Sequence, residues 1–214
     1  MNPGKGMVIF GCGGHARSIA AVAVSVGFTS LLFVDESARE GENILGFAVR
    51  RELGDAVPEG WSCMPGTGDN LQRQRQVQWM QSVGWPVATL ISGSATVDTG
   101  AEIAPACFVG HHAHVGPLAR IGTGCIINTA AIVEHECVVG NYTHVSVNAV
   151  LAGRSKLGNF VFLGTGATVI DGVSVADRIT VGAGAVVVES FSEPGTYVGC
   201  PAQRISVTSG DEAP

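Results

Sequence analysis

From Ile91 to Val187 an aliphatic residue returns at every sixth position, seventeen times without a break (Ile91, Val97, Ile103, Val109, Val115 and on to Val181 and Val187). At a background Val/Ile/Leu frequency of roughly a quarter, chance gives such a run on the order of 10⁻¹⁰ of the time. A period of six fits neither an amphipathic helix nor a hairpin sheet. It fits a triangular parallel β-helix: each side is a short strand whose central aliphatic residue points inward, and three sides make a coil of eighteen. Two residues before each inward position the chain is small or aliphatic, as at Ala95, Cys107, Ala113, Cys125, Ala131, Cys137, Thr143 and Ser155. These residues are expected to fill the corners, the cysteines acting as small apolar fillers. Gly110, Gly116, Gly122, Gly140, Gly158, Gly164 and Gly182 are expected at turns, supplying positive φ and close packing.

Residues one before each inward aliphatic point outward and stack in three columns. The first is Phe108, Ile126, His144, Phe162, Thr180; the second is Thr96, His114, Ile132, Val150, Thr168, Val186; the third is Glu102, Arg120, Val138, Lys156, Ser174. Two columns are largely apolar and one is polar. Exposed apolar faces of this length mark interfaces, and a closed threefold ring covers both, so a homotrimer is expected.

The first 88 residues read differently. Met7 to Phe10 is a short apolar strand, Gly11-Cys12-Gly13-Gly14-His15 a glycine turn, Ala16 to Val26 a helix, and Ser30 to Val34 a strand ending at Asp35. This is the opening of a Rossmann-like βαβ nucleotide-binding unit. A third strand is expected near Trp61 to Met64 and a helix over Gln72 to Ser82. The division is therefore a 1–88 nucleotide-binding domain, an 89–206 β-helix, and a flexible tail over 207–214. Glycine at 30 of 214 residues is about twice the usual share. A net charge of −6 argues against nucleic acid as the main partner. The six cysteines contain no CxxC pair, and there is no secretory leader and no run of eighteen apolar residues; the expectation is a cytoplasmic protein that does not enter the membrane.

Several residues invite chemistry. Gly13, Gly14 and the helix start after them suit a phosphate, with Asp35 about twenty residues on where a ribose-binding acid would sit; the alternative is a plain strand-to-helix turn. The domain is short for a dinucleotide, so a single nucleotide fits better. His135, between Glu134 and Glu136, lies at an outward corner, where a carboxylate could set its tautomer and basicity; otherwise it is a solvated turn histidine. His144 is a polar ring in an apolar column and needs a partner, with Asn128 one coil earlier in the same sheet. His135 and His144 are expected to meet across a subunit boundary. His111, His112 and His114 raise a metal site, but they share no stacked register with His135, and solvated or substrate-contacting roles are the alternatives.

The segments Gly11-Cys12-Gly13-Gly14-His15, Gly68-Asp69-Asn70, Asn128 to Glu136, His144-Val145-Ser146 and Val198 to Ala202, in this order, resemble the sugar O- and N-acyltransferase family typified by PglD, PerB and NeuD. The resemblance implies a left-handed parallel β-helix and an acetyl-CoA-dependent sugar acetyltransferase without a metal. It further implies His135 as general base, Glu136 as the acid modulating it, His144 as the histidine at the acetyl thioester and Asn128 beside it. Gly153, Gly164 and Thr165 match positions lining the CoA channel between subunits; Gly13, Gly14, His15 and Asp35 match the nucleotide-sugar site. The expected reaction is direct N-acetylation of a nucleotide-linked 4-amino-4,6-dideoxy sugar without an acyl-cysteine, with the oxyanion held by His144 or a backbone amide. Alternatives are O-acetylation of a sialic-acid-like sugar, a zinc hydratase of γ-carbonic-anhydrase type, and a non-catalytic trimeric scaffold.

Overall fold

The structure, a computed structural model, describes residues 6–54 and 56–205; the expected tail over 207–214 lies outside the described residues. The N-terminal part comprises β1 (Gly6–Phe10), α1 (Gly14–Ser25), β2 (Ser30–Val34), β3 (Asn43–Ile44), β4 (Phe47–Arg50), β5 (Ser62–Pro65) and α2 (Asn70–Ser82). Its sheet runs β3-β4-β2-β1-β5, parallel except for the β3–β4 hairpin. The hairpin was not expected from the sequence. It turns on Leu45 and Gly46, both at positive φ (54° and 84°), and Leu-Gly lacks the usual Asn-Gly or Asp-Gly signal. Both helices begin two residues earlier than expected. For α2 the reason is a cap: Asp69 Oδ1 accepts from the Gln72 amide at 2.7 Å, satisfying a free donor of the first turn.

From Leu90–Ile91 to Val186–Val187 the chain winds as paired-residue strands into three parallel sheets. The register steps by eighteen, so Phe108, Ile126, His144 and Phe162 lie in line. Backbone amides bond to the next coil, as in Phe108 N to Cys125 O at 2.9 Å. The inward Val109, Ile127, Val145 and Leu163 are fully buried, each contributing about 1.5–3 kcal/mol by leaving water. Phe191 and Tyr197, stacked with ring centres 3.9 Å apart, join this core at its C-terminal end.

Two corner expectations need correction. The corner residues with left-handed backbone recur every six from Gly100 to Gly184, and most are not glycine: Ala106, His112, Leu118, Ala130, Glu136, Tyr142, Asn148, Arg154, Phe160 and Arg178. None of the seven glycines expected to supply positive φ does so. They serve close packing instead: a Cβ at Gly110, Gly116 or Gly140 would come within 2.8 Å of the next coil's backbone. The small corner residues also do more than fill space. Cys107, Cys125, Cys137, Thr143 and Ser155 each direct a side-chain donor at a carbonyl fifteen residues on, at 3.1, 3.0, 3.1, 2.7 and 2.7 Å. A buried carbonyl that would lack a partner thereby gains one.

The first outward column does not wait for a neighbouring chain along its whole length. Phe108, Ile126 and His144 are buried within one chain, and Phe108 and Ile126 share a core with Met7, Ile19, Phe33 and Met64. The N-terminal domain folds back over these coils, and its apolar helix face needs the same cover that the column does. Phe162 and Thr180 beyond it are half-buried, as are His114, Ile132, Val150, Thr168 and Val186 of the second column.

Candidate active site

The glycine turn closes on itself through Asp35. Gly11 sits at φ 128°, a left-handed conformation that favours glycine. Asp35 Oδ2 accepts from the Cys12 amide at 2.9 Å, and Oδ1 from the Ser37 amide at 2.9 Å and its hydroxyl. These bonds hold the Asp35 carboxyl below the usual carboxylate range, although partial burial opposes them. Gly13 caps α1 without a side-chain bond, which leaves the first-turn amides pointing outward. A Cβ at Gly13 or Gly14 would meet nothing within 4 Å. Packing therefore does not require these glycines, and the space beside the helix N-terminus is open. It belongs to a cavity of about 980 Å³ that also takes in Asp35, Gly68, Gln76 and Trp79.

His15, the second residue of α1, also borders this cavity, and its ring reaches across to the β-helix. Its ring meets Phe108 edge-on at 5.0 Å and lies 6.3 Å from His144. Both ring nitrogens are sealed from solvent without a protein partner. Burial pushes its pKa down to about 3.

The protonation of His144 follows from the polarity of its neighbours. Its Nδ1 lies 3.2 Å from the Gly68 carbonyl, which only accepts, so Nδ1 carries the hydrogen. Asn128 Oδ1 accepts from the Thr129 amide at 2.8 Å, which turns the Asn128 amide nitrogen toward His144 Nε2 at 3.1 Å. The ring is neutral, and burial pushes its pKa down to about 4. The expected partnership of Asn128 and His144 is present. In this tautomer the one N–H of His144 points at Gly68, so of the two oxyanion donors expected, His144 or a backbone amide, the ring has no free hydrogen in the unliganded chain.

His135 lies on a different seam. Its Nδ1 is 3.4 Å from a Glu136 carboxylate oxygen, with both side chains about half exposed. The carboxylate favours the hydrogen on Nδ1 and leaves the Nε2 lone pair free. Gly153, one coil later, provides the room: a Cβ there would collide with the His135 ring and stand 3.0 Å from Asp171 Oδ2. Asp171 is bound by Arg154. No hydrogen bond or ring contact among the described residues joins His135 to His144 within one chain. Glycine at 164 is explained by coil stacking, since a Cβ there would lie 2.7 Å from Ala183 N. Thr165 pairs its hydroxyl with Ser146 at 3.2 Å.

Two of the three remaining histidines have side-chain hydrogen-bond partners. His111 Nδ1 meets Ser92 Oγ, and His114 Nδ1 meets Thr96 Oγ1, both at 2.7 Å. Among the described residues no three His, Cys, Asp or Glu side chains converge as a metal site. Cys107, Cys125 and Cys137 are fully buried, and burial raises the Cys137 thiol to about 11 and Cys125 well above its ordinary value. Two residues escaped sequence reasoning. Arg73 is 1% exposed and bonded only to carbonyl oxygens. Gln76 gives its Nε2 to the Phe10 carbonyl at 3.0 Å while its buried Oε1 has no protein partner. In sequence both look like solvated positions on a polar helix.

Residues 7–80 match the family model described as the PglD N-terminal domain. Among solved structures, the acetyltransferase domain of PglB from Neisseria gonorrhoeae FA1090 in complex with acetyl coenzyme A is 28% identical, with a TM-score of 0.88 over 94% of this chain and 99% of that one. PerB from Caulobacter crescentus in complex with CoA and GDP-perosamine is 30% identical, with a TM-score of 0.83 over 94% of this chain and 97% of that one. WeeI from Acinetobacter baumannii AYE, at 16% identity and a TM-score of 0.68, shares the fold. No curated protein sequence matches the chain.

Proposed function

Because the chain belongs to the PglD- and PerB-like family of left-handed β-helix sugar N-acyltransferases, which use acetyl-CoA, we propose that it acetylates the amino group of a nucleotide-linked 4-amino-4,6-dideoxy sugar. The observation that carries this reading is the state of His135: Nδ1 held by Glu136, Nε2 free above Gly153. A sugar amine attacks only when unprotonated. As its nitrogen bonds to the acetyl carbonyl carbon, Nε2 takes the amine proton and Glu136 steadies the cation. The C–S bond then breaks, and the proton passes to the departing CoA thiolate.

The nucleotide sugar occupies the cavity beside the glycine turn, its diphosphate at the start of α1 and its ribose near Asp35. Support comes from the empty space at Gly13 and Gly14 and from the nucleotide sugar bound by the Caulobacter relative. Asn128 Nδ2 has a second hydrogen with no partner among the described residues, which suits it, or a backbone amide, to hold the oxyanion. His144 borders the acetyl thioester, and Gly153, Gly164 and Thr165 lie along the CoA channel. That channel forms between the half-buried second column of one chain and the upper first column of the next, in a homotrimer. No described helix is long and apolar enough to cross a membrane, and the cytoplasm supplies acetyl-CoA.

The test is an acetylation assay with UDP-, GDP-, CMP- and dTDP-linked sugars bearing an amine or only hydroxyls. Acetyl transfer to a 4-amino sugar is expected, with loss of activity in His135→Ala. Transfer only to hydroxyl acceptors, or a silent His135→Ala, would sink the proposal.

A further inference from the structure

We infer that Arg73 is a positioning residue for His144, acting through the Gly68 carbonyl that both side chains share. Arg73 Nη1 donates to Gly68 O at 3.0 Å and His144 Nδ1 donates to the same oxygen at 3.2 Å. The guanidinium is buried and anchored on every side. Nε donates to Gly124 O at 2.6 Å, and Nη2 to Tyr142 O and Asn70 Oδ1, both at 2.8 Å. Asn70 in turn gives its Nδ2 to Val161 O at 3.1 Å. One planar fork thus ties the start of α2 to two successive coils and fixes where the Gly68 carbonyl points.

Burying a charge is costly unless it is hydrogen-bonded. Among the described residues no carboxylate bonds to this one; four of its five N–H groups meet oxygens, three of them backbone carbonyls. That arrangement gives geometric definition to a glycine, the residue least able to define its own backbone. The direction of the Gly68 carbonyl selects the Nδ1–H form of His144 and leaves Nε2 to Asn128. Gly68 also borders the cavity beside the glycine turn, so the peptide that orients His144 is a wall of the nucleotide site. The role in turnover rests on His144 lying at the acetyl thioester, as proposed above; the tautomer assignment does not.

The experiment uses the full-length chain with ¹⁵N-labelled histidine, comparing wild type with Arg73→Lys and Arg73→Gln. Lysine keeps the charge but cannot bridge four oxygens in one plane. The expected wild-type spectrum shows His144 as a single Nδ1–H tautomer. In both variants the signal becomes a tautomer mixture, and kcat falls by about 10²-fold, the cost of a small misplacement near the chemistry. A folded variant with a lower melting temperature but an unchanged His144 tautomer and kcat would overturn the inference, because Arg73 would then be only a structural clamp. If Arg73→Gln does not fold, Arg73→Lys alone decides. Should wild type acetylate no amino sugar, the functional proposal falls while the tautomer measurement still judges Arg73.

Discussion

The His135 imidazole occupies the space that any side chain at residue 153 would need. Gly153→Ala is therefore expected to push the ring off its seat and lower kcat by about 10²-fold. Residue 153 does not have a left-handed backbone, so folding should survive. Steady-state kinetics beside a melting curve checks this; unchanged kcat would mean that the ring's present position is not the working one.

Gly13 caps α1 with nothing near its missing Cβ. Gly13→Asp should stabilise the helix by a few tenths of a kcal/mol, because aspartate is a better cap. The same carboxylate would repel a bound diphosphate. At about 4 Å and an effective dielectric near 20 the repulsion costs about 4 kcal/mol. KM for the nucleotide sugar should rise at least about tenfold, with KM for acetyl-CoA unmoved. Parallel titrations separate the two substrates.

Acid should weaken the fold through two buried rings. His144 titrates near 4 and His15 near 3, below the ordinary 6.5, because burial disfavours the cation. Below about pH 6.5 the unfolded chain takes up protons on these rings and the folded chain does not. Stability is full above that pH and falls as pH drops toward 4, by on the order of a few kcal/mol in all. Urea midpoints at pH 7 and pH 4.5 should differ, and His144→Gln should reduce the difference by roughly half, leaving the share of His15.

The site proposed above, shared between two chains, predicts complementation. His135→Ala and His144→Ala chains, each inactive alone, should regain activity when refolded together, since some seams then carry both native rings. Sedimentation should report trimers throughout. Mixed trimers without activity would place both histidines' work within one chain.

The hexads from Ile91 to Val187 were legible because each inward position answers to one demand, burial in a narrow core. The βαβ opening was legible too, since β1, the glycine turn and β2 are local signals. The β3–β4 hairpin was not, because Leu45 accepts a left-handed backbone that no turn residue announces. The corners misled for a related reason. Glycines such as Gly110, Gly116 and Gly140 suggest unusual φ, but they mark where one coil's backbone meets the next. His135 with Glu136 and Asn128 with His144 were visible as neighbours in register. That His144 faces its own chain's Gly68 was hidden, because a column of outward residues does not say whether a domain earlier in the same chain or another chain will cover it.

The corner geometry also restricts how such a chain can change in length. Glu136 occupies one of the left-handed corners spaced by six, directly beside His135. Removing one residue upstream would turn every later inward side chain out and every corner into a flat. Removing six would restore the pattern but rotate His135 onto another face of the prism. Lengthening or shortening the coil itself thus takes whole windings of eighteen, which extend or trim the prism without turning the edge that carries His135.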